Sequence, residues 1–306
     1  MSMLTPEHRP PNDPALEAEL AGAIEPWLAH MTWRKDFAEW RKRRIRQEEY
    51  QQANMKDLAQ ALGANVEGKS MLDLGAGMGG LSVAVMLEYG DRGLHLQSMD
   101  YNPDYCQIAR LRARRYGLTL PITVAAGEHL PYPDASFDLI TCLDVLEHVA
   151  STDEVLREMR RVLKPGGIVL TTIPNRRAFR DPHYHLPLIN WLPRPLAEAI
   201  VRRSGHSKSG GPLQDRQELS ELSTYTWAAF KRAAEAAGFA VRDQVLWRIS
   251  HGEIRQLHGW RRAVLAFTQK TRLLTPLYRL YRYGWEGTYQ ISLRRTTDDR
   301  RRTTLQ

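Results

Sequence analysis

The sequence has little cysteine and no long apolar run. Cys106 and Cys142 are the only cysteines among 306 residues, which excludes a disulfide framework and a cysteine-ligated structural zinc site. No run of about 18 uncharged apolar residues is present, so an integral membrane helix is not expected. The first residues also lack the charged and then apolar pattern of a secretory signal peptide. These absences favour a cytoplasmic protein.

Acidic residues become scarce near the end of the chain. From Gly252 to Gln306 there are 12 Lys and Arg against 4 Asp and Glu. Residues 1–251 hold 31 of each sign, so the formal net charge of +8 belongs to the last segment alone. A protein that binds nucleic acid would be expected to carry basic patches on its main domain. We therefore expect a local anionic partner and do not expect nucleic acid.

Short apolar runs alternate with helical patterns between Ser70 and Ile173. The candidate strands are SMLDL, GLHLQSM, LPITVA, FDLITCL and GGIVLTTI. Helices are predicted between them, among them Pro103 to Tyr116, with Asn102 as its N-cap, and Thr152 to Leu163. This alternation predicts an α/β fold with a doubly wound, Rossmann-like, mostly parallel sheet. GTYQISLRR is predicted to add an antiparallel last strand.

Additional segments surround this core. After Ile173 the strand pattern stops, and residues rich in Pro, Arg, Ser and Gly surround one amphipathic helix. The predicted divisions are a disordered lead and N-terminal helical cover (1–68), a core (69–251) with an inserted cap (174–222), a basic amphipathic helical insertion (252–284), and the last strand with a polar tail (285–306). The further predicted elements are helices over Pro14–His30, Arg34–Leu62 ended by Gly63, Pro195–Ser204 and Thr224–Ala237, a strand FAVRDQVLWRI, and helices over Gly252–Gly284 separated at Pro276.

The run LDLGAGMGG lies where a predicted strand turns into a helix. Gly75, Gly77 and Gly79 allow the backbone to pass close to a ligand. The amides at the N-terminus of the following helix favour electron-rich groups. This loop is therefore the first candidate binding site.

The same loop also matches the fingerprint of a dinucleotide dehydrogenase. Gly75, Gly77 and Gly80 satisfy G-x-G-x-x-G, and Asp100 stands about where the ribose-binding acid of that fingerprint falls. Asp73 argues against this interpretation. A carboxylate two residues before the first glycine suits a cationic amino group and would repel a pyrophosphate.

Four ordered motifs together resemble one family. They are LDLGAGMGG, MDYNPDY, GEHLPYPDASFDLITCLDVLEHV and RVLKPGGIVLTTIPN. The set resembles class I S-adenosylmethionine-dependent methyltransferases, in particular the group that includes ubiquinone and menaquinone biosynthesis enzymes. The resemblance covers about Ser70 to Pro174 well, and it implies S-adenosylmethionine as the cofactor.

The resemblance also implies roles for single residues. Asp73 and the three loop glycines match the segment around the methionine part of the cofactor. Asp100 matches the acid that accepts the ribose hydroxyls, and Tyr101 is implied against the adenine. Gly127 and Glu128 match the segment beside the adenine amino group, although the residue before them is alanine where many relatives carry aspartate.

A methyl acceptor must lie in line with the methyl carbon and the sulfur, and a hydroxyl acceptor also needs a base. Leu143, just past the fourth strand, is implied beside the sulfonium. The candidate catalytic residues near it are His148, His183 and His185. His183 and His185 lie two apart, so in an extended loop they face one way, as base and orienter. The alternative is that both only pack the cap.

The string DVLEH admits two interpretations. In the ubiquinone-pathway O-methyltransferases that the chain resembles, acids followed by histidine are associated with a divalent metal, and Asp144, Glu147 and His148 match that pattern. The alternative, which we adopt, is that the acid and histidine cap the next helix and tie down the loop. We therefore predict no metal.

The expected activity is O-methylation of a small acceptor that is lipid-linked or of glycan type. N- or C-methylation and a non-catalytic S-adenosylmethionine-binding protein are the alternatives. From Gly252 to Gly284, Trp260, Phe267 and other apolar residues stand among arginines, a pattern typical of helices on anionic membranes. Peripheral contact with the inner face of the membrane is therefore expected. The alternative is that this apolar face packs on the core.

Overall fold

The structure is a computed structural model that describes residues 13–29, 34–205, 219, 221–250 and 274–296. The strands are β1 (Ser70–Leu74), β2 (His95–Asp100), β3 (Ile122–Val124), β4 (Phe137–Cys142), β5 (Leu163–Pro174), β6 (Phe239–Asp243) and β7 (Thr288–Arg295). The helices are α1 (Pro14–Leu28), α2 (Phe37–Ile45), α3 (Gln52–Leu62), α4 (Gly80–Tyr89), α5 (Pro103–Arg114), α6 (Thr152–Val162), α7 (Arg194–Arg203), α8 (Trp227–Ala236), α9 (Gln244–Ser250) and α10 (Leu274–Trp285). Short 3₁₀ helices span Gln47–Tyr50, Gly90–Arg92 and Ile189–Trp191.

The strands form one sheet in the order β3-β2-β1-β4-β5-β7-β6. All pairs from β3 to β5 are parallel, whereas β7 runs antiparallel to both β5 and β6. Apolar side chains are buried on both faces: Met71 of β1 packs in the cluster with α3 and α4, and Leu72 packs in the cluster with α6 and α8. The predicted doubly wound sheet with an antiparallel last strand is confirmed.

Local sequence signals define several helix ends. The Asn102 side chain accepts from the backbone N–H of Asp104 at 2.9 Å, which confirms it as the N-cap of α5. Gly63 ends α3 with a φ of +74°, a conformation that glycine adopts without a Cβ penalty. Among the described helices, none combines the length and the apolar character that crossing a bilayer requires.

The helix predicted over Arg34–Leu62 is wrong, because the segment is broken into α2, a 3₁₀ turn and α3. The break begins at Arg46, whose φ of −110° and ψ of 42° are not helical. It places Glu48, a charged residue, in a fully buried position. The reason is the ion pair of Glu48 with buried Arg112, a contact 64 residues apart that local periodicity does not reveal.

The strand predicted over FAVRDQVLWRI is also wrong in its second half. β6 ends at Asp243, and α9 follows it directly. The Asp243 Oδ1 atom accepts from the backbone N–H groups of Val245 at 2.9 Å and Leu246 at 3.1 Å. An aspartate that bonds the first free amides of a helix favours a helix start, and this outweighs the alternating pattern.

Part of the predicted basic insertion lies outside the described residues, namely 252–273 with Trp260 and Phe267. The described part begins with α10, in which Pro276 lies in the first turn. The predicted cap helix is observed as α7. The lead up to residue 12 and the polar tail from residue 297 also lie outside the described residues.

Arg112 joins the N-terminal cover to the core. Its buried guanidinium donates to the carbonyl oxygens of Met78, in the glycine loop, and Ile45, at the end of α2, each at 2.7 Å. It also pairs with Glu48, which accepts from Arg115 at 2.9 Å. The cover is therefore held against the loop by charge-assisted hydrogen bonds shielded from water.

Candidate functional site

The glycine loop connects β1 to α4 at the carboxyl edge of the sheet. The N–H groups of Gly75 and Ala76 both donate to the carbonyl of Met99 in β2, at 2.8 and 2.9 Å. A Cβ at Gly75 would lie 2.1 Å from Val145, but a Cβ at Gly77 would meet nothing within 4 Å. The loop is therefore packed tightly against Val145 at Gly75 and leaves open space at Gly77, which allows a ligand to approach the backbone.

Asp100 lies at the end of β2 beside this loop. Its Oδ2 atom accepts from the Gly77 N–H at 2.8 Å, and its Oδ1 atom accepts from the Asn102 N–H at 2.9 Å. The carboxylate thus lies beside the open space at Gly77, where the resemblance implies a ribose contact. Tyr101, the next residue, is 52% exposed. Their contacts with the cofactor stay predictions.

Asp73 is buried beneath the loop. Its Oδ2 atom accepts from the Ser82 hydroxyl at 2.6 Å, and its Oδ1 atom accepts from the Thr141 hydroxyl at 2.7 Å. Burial raises the pKa of Asp73, although the two hydroxyl donors act in the opposite direction. The side chain therefore ties β1 to α4 and β4, and its predicted contact with a cationic amino group is untested.

The other implied cofactor residues lie at the ends of β3 and β4. Glu128 Oε1 accepts from the N–H groups of Ala150 at 2.9 Å and Ser151 at 3.3 Å, so it holds the loop that precedes α6. A Cβ at Gly127 would lie 3.3 Å from Val155. Leu143 is half-buried just past β4. The segment beside Glu128 is thus fixed by α6, while its contact with adenine stays a prediction.

Asp144 begins the DVLEH string in a left-handed conformation, with a φ of +56°. Its N–H donates to the Thr172 hydroxyl oxygen at 2.7 Å, and that hydroxyl donates to Asp144 Oδ1 at 2.8 Å. Solvent reaches Asp144, but the surrounding protein removes much of its hydration, and the Glu147 charge is close. Both effects raise the pKa of Asp144. The prediction that the acid ties down the loop is confirmed by the bond to Thr172.

Glu147, His148 and His183 form one cluster. Glu147 is 1% exposed, and its Oε1 atom lies 3.5 Å from His183 Nε2. The rings of His148 and His183 meet edge to face with centroids 5.7 Å apart. The Oε2 atom of Glu147 is buried and has no hydrogen-bond partner among the described residues.

This cluster has two chemical capacities. One ligand atom from each of the three residues lies within 4.8 Å of the others, so the set can hold a divalent cation as well as a proton.

The predicted capping role of the DVLEH string is wrong, because Ser151 caps α6 through a bond from the Glu154 N–H at 3.3 Å. A serine hydroxyl directly before the helix is nearer to its free amides than Glu147 or His148.

The contacts described for His185 are with residues outside this cluster. Asp181 Oδ1 accepts from the N–H groups of His183 at 2.9 Å and Tyr184 at 2.7 Å, and the Asp181 carbonyl accepts from the His185 N–H. This is a tight turn, so the prediction of an extended segment with both histidines facing one way is wrong. His185 Nε2 lies 3.3 Å from Arg34 of the N-terminal cover.

Sequence reasoning considered Glu147 as a metal ligand or as part of a helix cap and missed it as the neighbour of His183. The two residues lie far apart in the chain, and the Asp181 turn brings them together. The available signal was Asp181 followed by proline, a pair that favours a turn.

Comparison with known proteins agrees with this geometry. Residues 72–171 match the family described as a methyltransferase domain. The ubiquinone/menaquinone biosynthesis C-methyltransferase of Bordetella avium is 34% identical over 159 residues, which cover 50% of this chain and 62% of that protein. The ubiquinone biosynthesis O-methyltransferase of Aeromonas salmonicida is 30% identical over 177 residues, which cover 58% of this chain and 65% of that protein. The chain thus spans less than two thirds of the length of these relatives.

Similar solved structures include phosphoethanolamine N-methyltransferase 2 of Haemonchus contortus in complex with S-adenosyl-L-methionine. The TM-score is 0.49 and the sequence identity is 17%. The match covers 80% of this chain and 52% of that one. Another is the YcgJ protein of Bacillus subtilis, with a TM-score of 0.48, 16% identity and coverage of 81% and 100%. The matched domain, the sheet order and the ordered motifs agree. Residues 72–171 therefore form a domain of the class I S-adenosylmethionine-dependent methyltransferases.

Proposed function

We propose that this protein transfers a methyl group from S-adenosylmethionine to an oxygen atom of a small acceptor that is lipid-linked or of glycan type. The observation that favours oxygen over an amine nitrogen is the Glu147–His183 pair near the carboxyl end of β4, because an amine acceptor does not need a strong base. A hydroxyl acceptor must lose its proton as the methyl group arrives, and a histidine held by a buried carboxylate suits that task.

The residues of the glycine loop fit the cofactor. The space at Gly77 is open, and Asp100 is held beside it by the Gly77 N–H. In this arrangement the loop amides hold the methionine part and Asp100 accepts the ribose hydroxyls. When bound, S-adenosylmethionine supplies a methyl group on a positively charged sulfur, which keeps the bonding electron pair after transfer.

His183 provides the base in this proposal. With a proton on Nε2 facing Glu147 Oε1, the ring presents Nδ1 to accept the proton of the acceptor hydroxyl. The anionic carboxylate of Glu147 then stabilises the imidazolium that forms. Glu147 acts as a positioning residue, because its side chain is buried behind the histidine.

Carbon methylation is the second candidate function. Several curated relatives carry the name C-methyltransferase, and the one from Cupriavidus pinatubonensis is 37% identical over 108 residues, or 44% of its length. The same His183 base serves that reaction by removing a proton from a phenol that activates its ring carbon. The acceptor atom therefore distinguishes the two functions, while the cofactor residues are shared.

The experiment uses S-adenosylmethionine labelled with carbon-13 in its methyl group and a panel of prenylated phenols, quinols and glycans. Carbon-13 NMR of the product distinguishes O-methyl, N-methyl and C-methyl groups. We expect an O-methyl product. A C-methyl product would overturn the oxygen assignment, and absence of any transfer with intact cofactor binding would favour the non-catalytic alternative.

Variants of the cluster test the base with any acceptor that is turned over. His183→Ala should lower kcat by about 10²- to 10⁴-fold, the usual contribution of general-base catalysis. Glu147→Gln should lower kcat less, and neither should change the affinity for S-adenosylmethionine. His185→Ala is the matched control, because the ring contact described for His185 is with Arg34. Equal losses in both histidine variants would contradict the assignment.

A further inference from the structure

Large apolar side chains are exposed together on one part of the molecule. Among the described residues, six of the eight exposed large apolar side chains lie on the cap or on α10. We name five of them the aromatic cap surface, and each is between 37% and 51% exposed: Leu188, Trp191, Leu196, Ile200 and Trp285. Isolated apolar residues on a surface need no explanation, but a group of this kind marks an interaction site.

Aromatic contacts join the cap to α10. Phe179 stacks on Trp285 with ring centroids 4.3 Å apart and planes within 4°. The rings of Trp191 and Trp285 are 6.0 Å apart, and Trp191 Nε1 donates to the Arg177 carbonyl at 2.9 Å. Both tryptophans are thus fixed by their neighbours while nearly half of each side chain stays in water.

Helix α7 packs beside the 3₁₀ helix that contains Trp191. Ala197 and Val201 are buried in the small core of the cap. Leu196 and Ile200 lie four residues apart, on one outward face, and Arg203 follows on that face after one further turn. The helix therefore has an apolar face against the cap and a second apolar face, edged by arginine, that no described residue covers.

The cap is also basic. Residues 175–205 contain six arginines against Asp181 and Glu198, a formal net charge of +4. This local excess lies within residues 1–251, whose charges sum to zero. Arg176, Arg177, Arg202 and Arg203 are exposed. The surface thus combines exposed tryptophans, aliphatic side chains and positive charge, the combination that binds an anionic lipid interface.

We propose that the aromatic cap surface rests on an anionic phospholipid bilayer. Tryptophan rings insert at the level of the headgroups, and the arginines bind lipid phosphates. The cap begins at Asn175, directly after β5, so this contact would bring the membrane beside the acceptor side of the site. The inference concerns a partner and does not depend on methyl transfer.

The test is sedimentation of the full chain with vesicles of phosphatidylglycerol or of phosphatidylcholine. We expect binding to phosphatidylglycerol that weakens as salt rises, with a blue shift of tryptophan fluorescence, and little binding to phosphatidylcholine. Arg202→Gln with Arg203→Gln should weaken binding by about 25-fold, since each basic residue near the surface contributes about fivefold. Leu196→Gln with Ile200→Gln should weaken it at least as much.

Two exposed positions on other parts of the fold provide matched controls. Val124→Gln replaces an apolar residue that is 48% exposed on β3, at the opposite edge of the sheet. Arg157→Gln removes an arginine that is 67% exposed on α6. Both should bind vesicles like the unchanged chain. The cap variants and Arg157→Gln should keep their affinity for S-adenosylhomocysteine, which separates this proposal from the proposed function.

Three results would overturn the proposal. One is equal binding to both lipids, and another is the absence of vesicle binding at any salt, which would leave a protein partner as the occupant. The third is full binding by both cap double variants. In that case the predicted basic insertion at 252–284 would be sufficient for membrane binding, and Arg261→Gln with Arg262→Gln would abolish it.

Discussion

Asp100 connects two parts of the cofactor site through its two carboxylate oxygens. One oxygen accepts from the Gly77 N–H, and the other accepts from the Asn102 N–H. Asp73 has a different environment, because its carboxylate accepts from two buried hydroxyls beneath the loop. Of the two acids, Asp100 is therefore the one whose loss should act on the ligand directly.

Asp100→Ala should weaken binding of S-adenosylhomocysteine by about 1.5 to 3 kcal/mol, the range for a lost hydrogen bond to a charged group. Isothermal titration calorimetry measures this difference. Asp104→Ala is the control, because Asp104 lies four residues later on the exposed side of α5. Equal losses in the two variants would contradict a specific role for Asp100.

Single residues differ in how well the sequence predicts them. The Asn102 cap depends on neighbours within a few positions and is found as predicted. The loop glycines have positive φ angles, and their contact with a ligand stays a prediction. The neighbour of His183 was not predicted, because Glu147 reaches it only after the chain has passed through α6 and β5. Local patterns specify turns and caps, whereas a pair from two loops depends on the packing of the whole sheet.

At the scale of elements, the glycine loop contains one glycine that is required by packing, Gly75, and one that leaves space for a ligand, Gly77. Gly77 and Gly166 both have a positive φ, +54° and +77°, and a Cβ at either would meet nothing within 4 Å. Only Gly77 lies in the candidate site. The pair therefore distinguishes backbone strain from loss of binding space.

Gly77→Ala and Gly166→Ala should each lower the free energy of unfolding by about 1 to 2 kcal/mol, because alanine is strained at positive φ. Only Gly77→Ala should also weaken S-adenosylhomocysteine binding, since its methyl group would occupy the open space that we assign to the cofactor. Urea unfolding and calorimetry measure the two effects. Unchanged affinity in Gly77→Ala would place the cofactor elsewhere.

The attachment of the N-terminal cover makes a separate prediction. Arg112→Met would leave Glu48 buried with one fewer partner, and breaking a buried ion pair in this way costs about 3 to 5 kcal/mol. Arg92→Gln breaks an exposed pair with Glu88 on the surface and should cost at most about 1 kcal/mol. Urea unfolding compares them, and similar losses would show that the buried network contributes little.

The two wrong element predictions share a physical cause. Asp243 caps α9 and also lies 3.3 Å from the buried guanidinium of Arg282 on α10, while Glu48 is paired with Arg112. In both places a buried charge requires a partner from a distant element, and the chain bends to supply it. Hydrophobic periodicity describes apolar faces and contains no information on such pairs.

At the scale of the whole molecule, the sheet order brings the separate motifs to one edge. Strands β2, β1, β4 and β5 are adjacent, so Asp100, the glycine loop, the DVLEH string and the start of the cap follow neighbouring carboxyl ends. In open α/β sheets ligands bind beyond these ends. Motifs spread over about a hundred residues therefore form one site. The N-terminal cover is joined to the glycine loop through Arg112 and contacts the cap through Arg34.

A ligand that binds only the folded chain must raise its stability. S-adenosylhomocysteine at 100 times its dissociation constant should add about 2.7 kcal/mol to the free energy of unfolding. At about 2 to 4 °C per kcal/mol for a large domain, the melting temperature should rise by about 5 to 10 °C. Differential scanning calorimetry measures the shift.

NAD at the same concentration should leave the melting temperature unchanged, because the ordered motifs and Asp73 exclude the dehydrogenase interpretation of the glycine loop. Asp100→Ala at the same S-adenosylhomocysteine concentration should lose most of the shift, since a weaker affinity reduces the stabilisation by mass action. A rise in melting temperature with NAD and none with S-adenosylhomocysteine would show that the glycine loop binds a dinucleotide. A shift that Asp100→Ala retains in full would place the ribose away from β2.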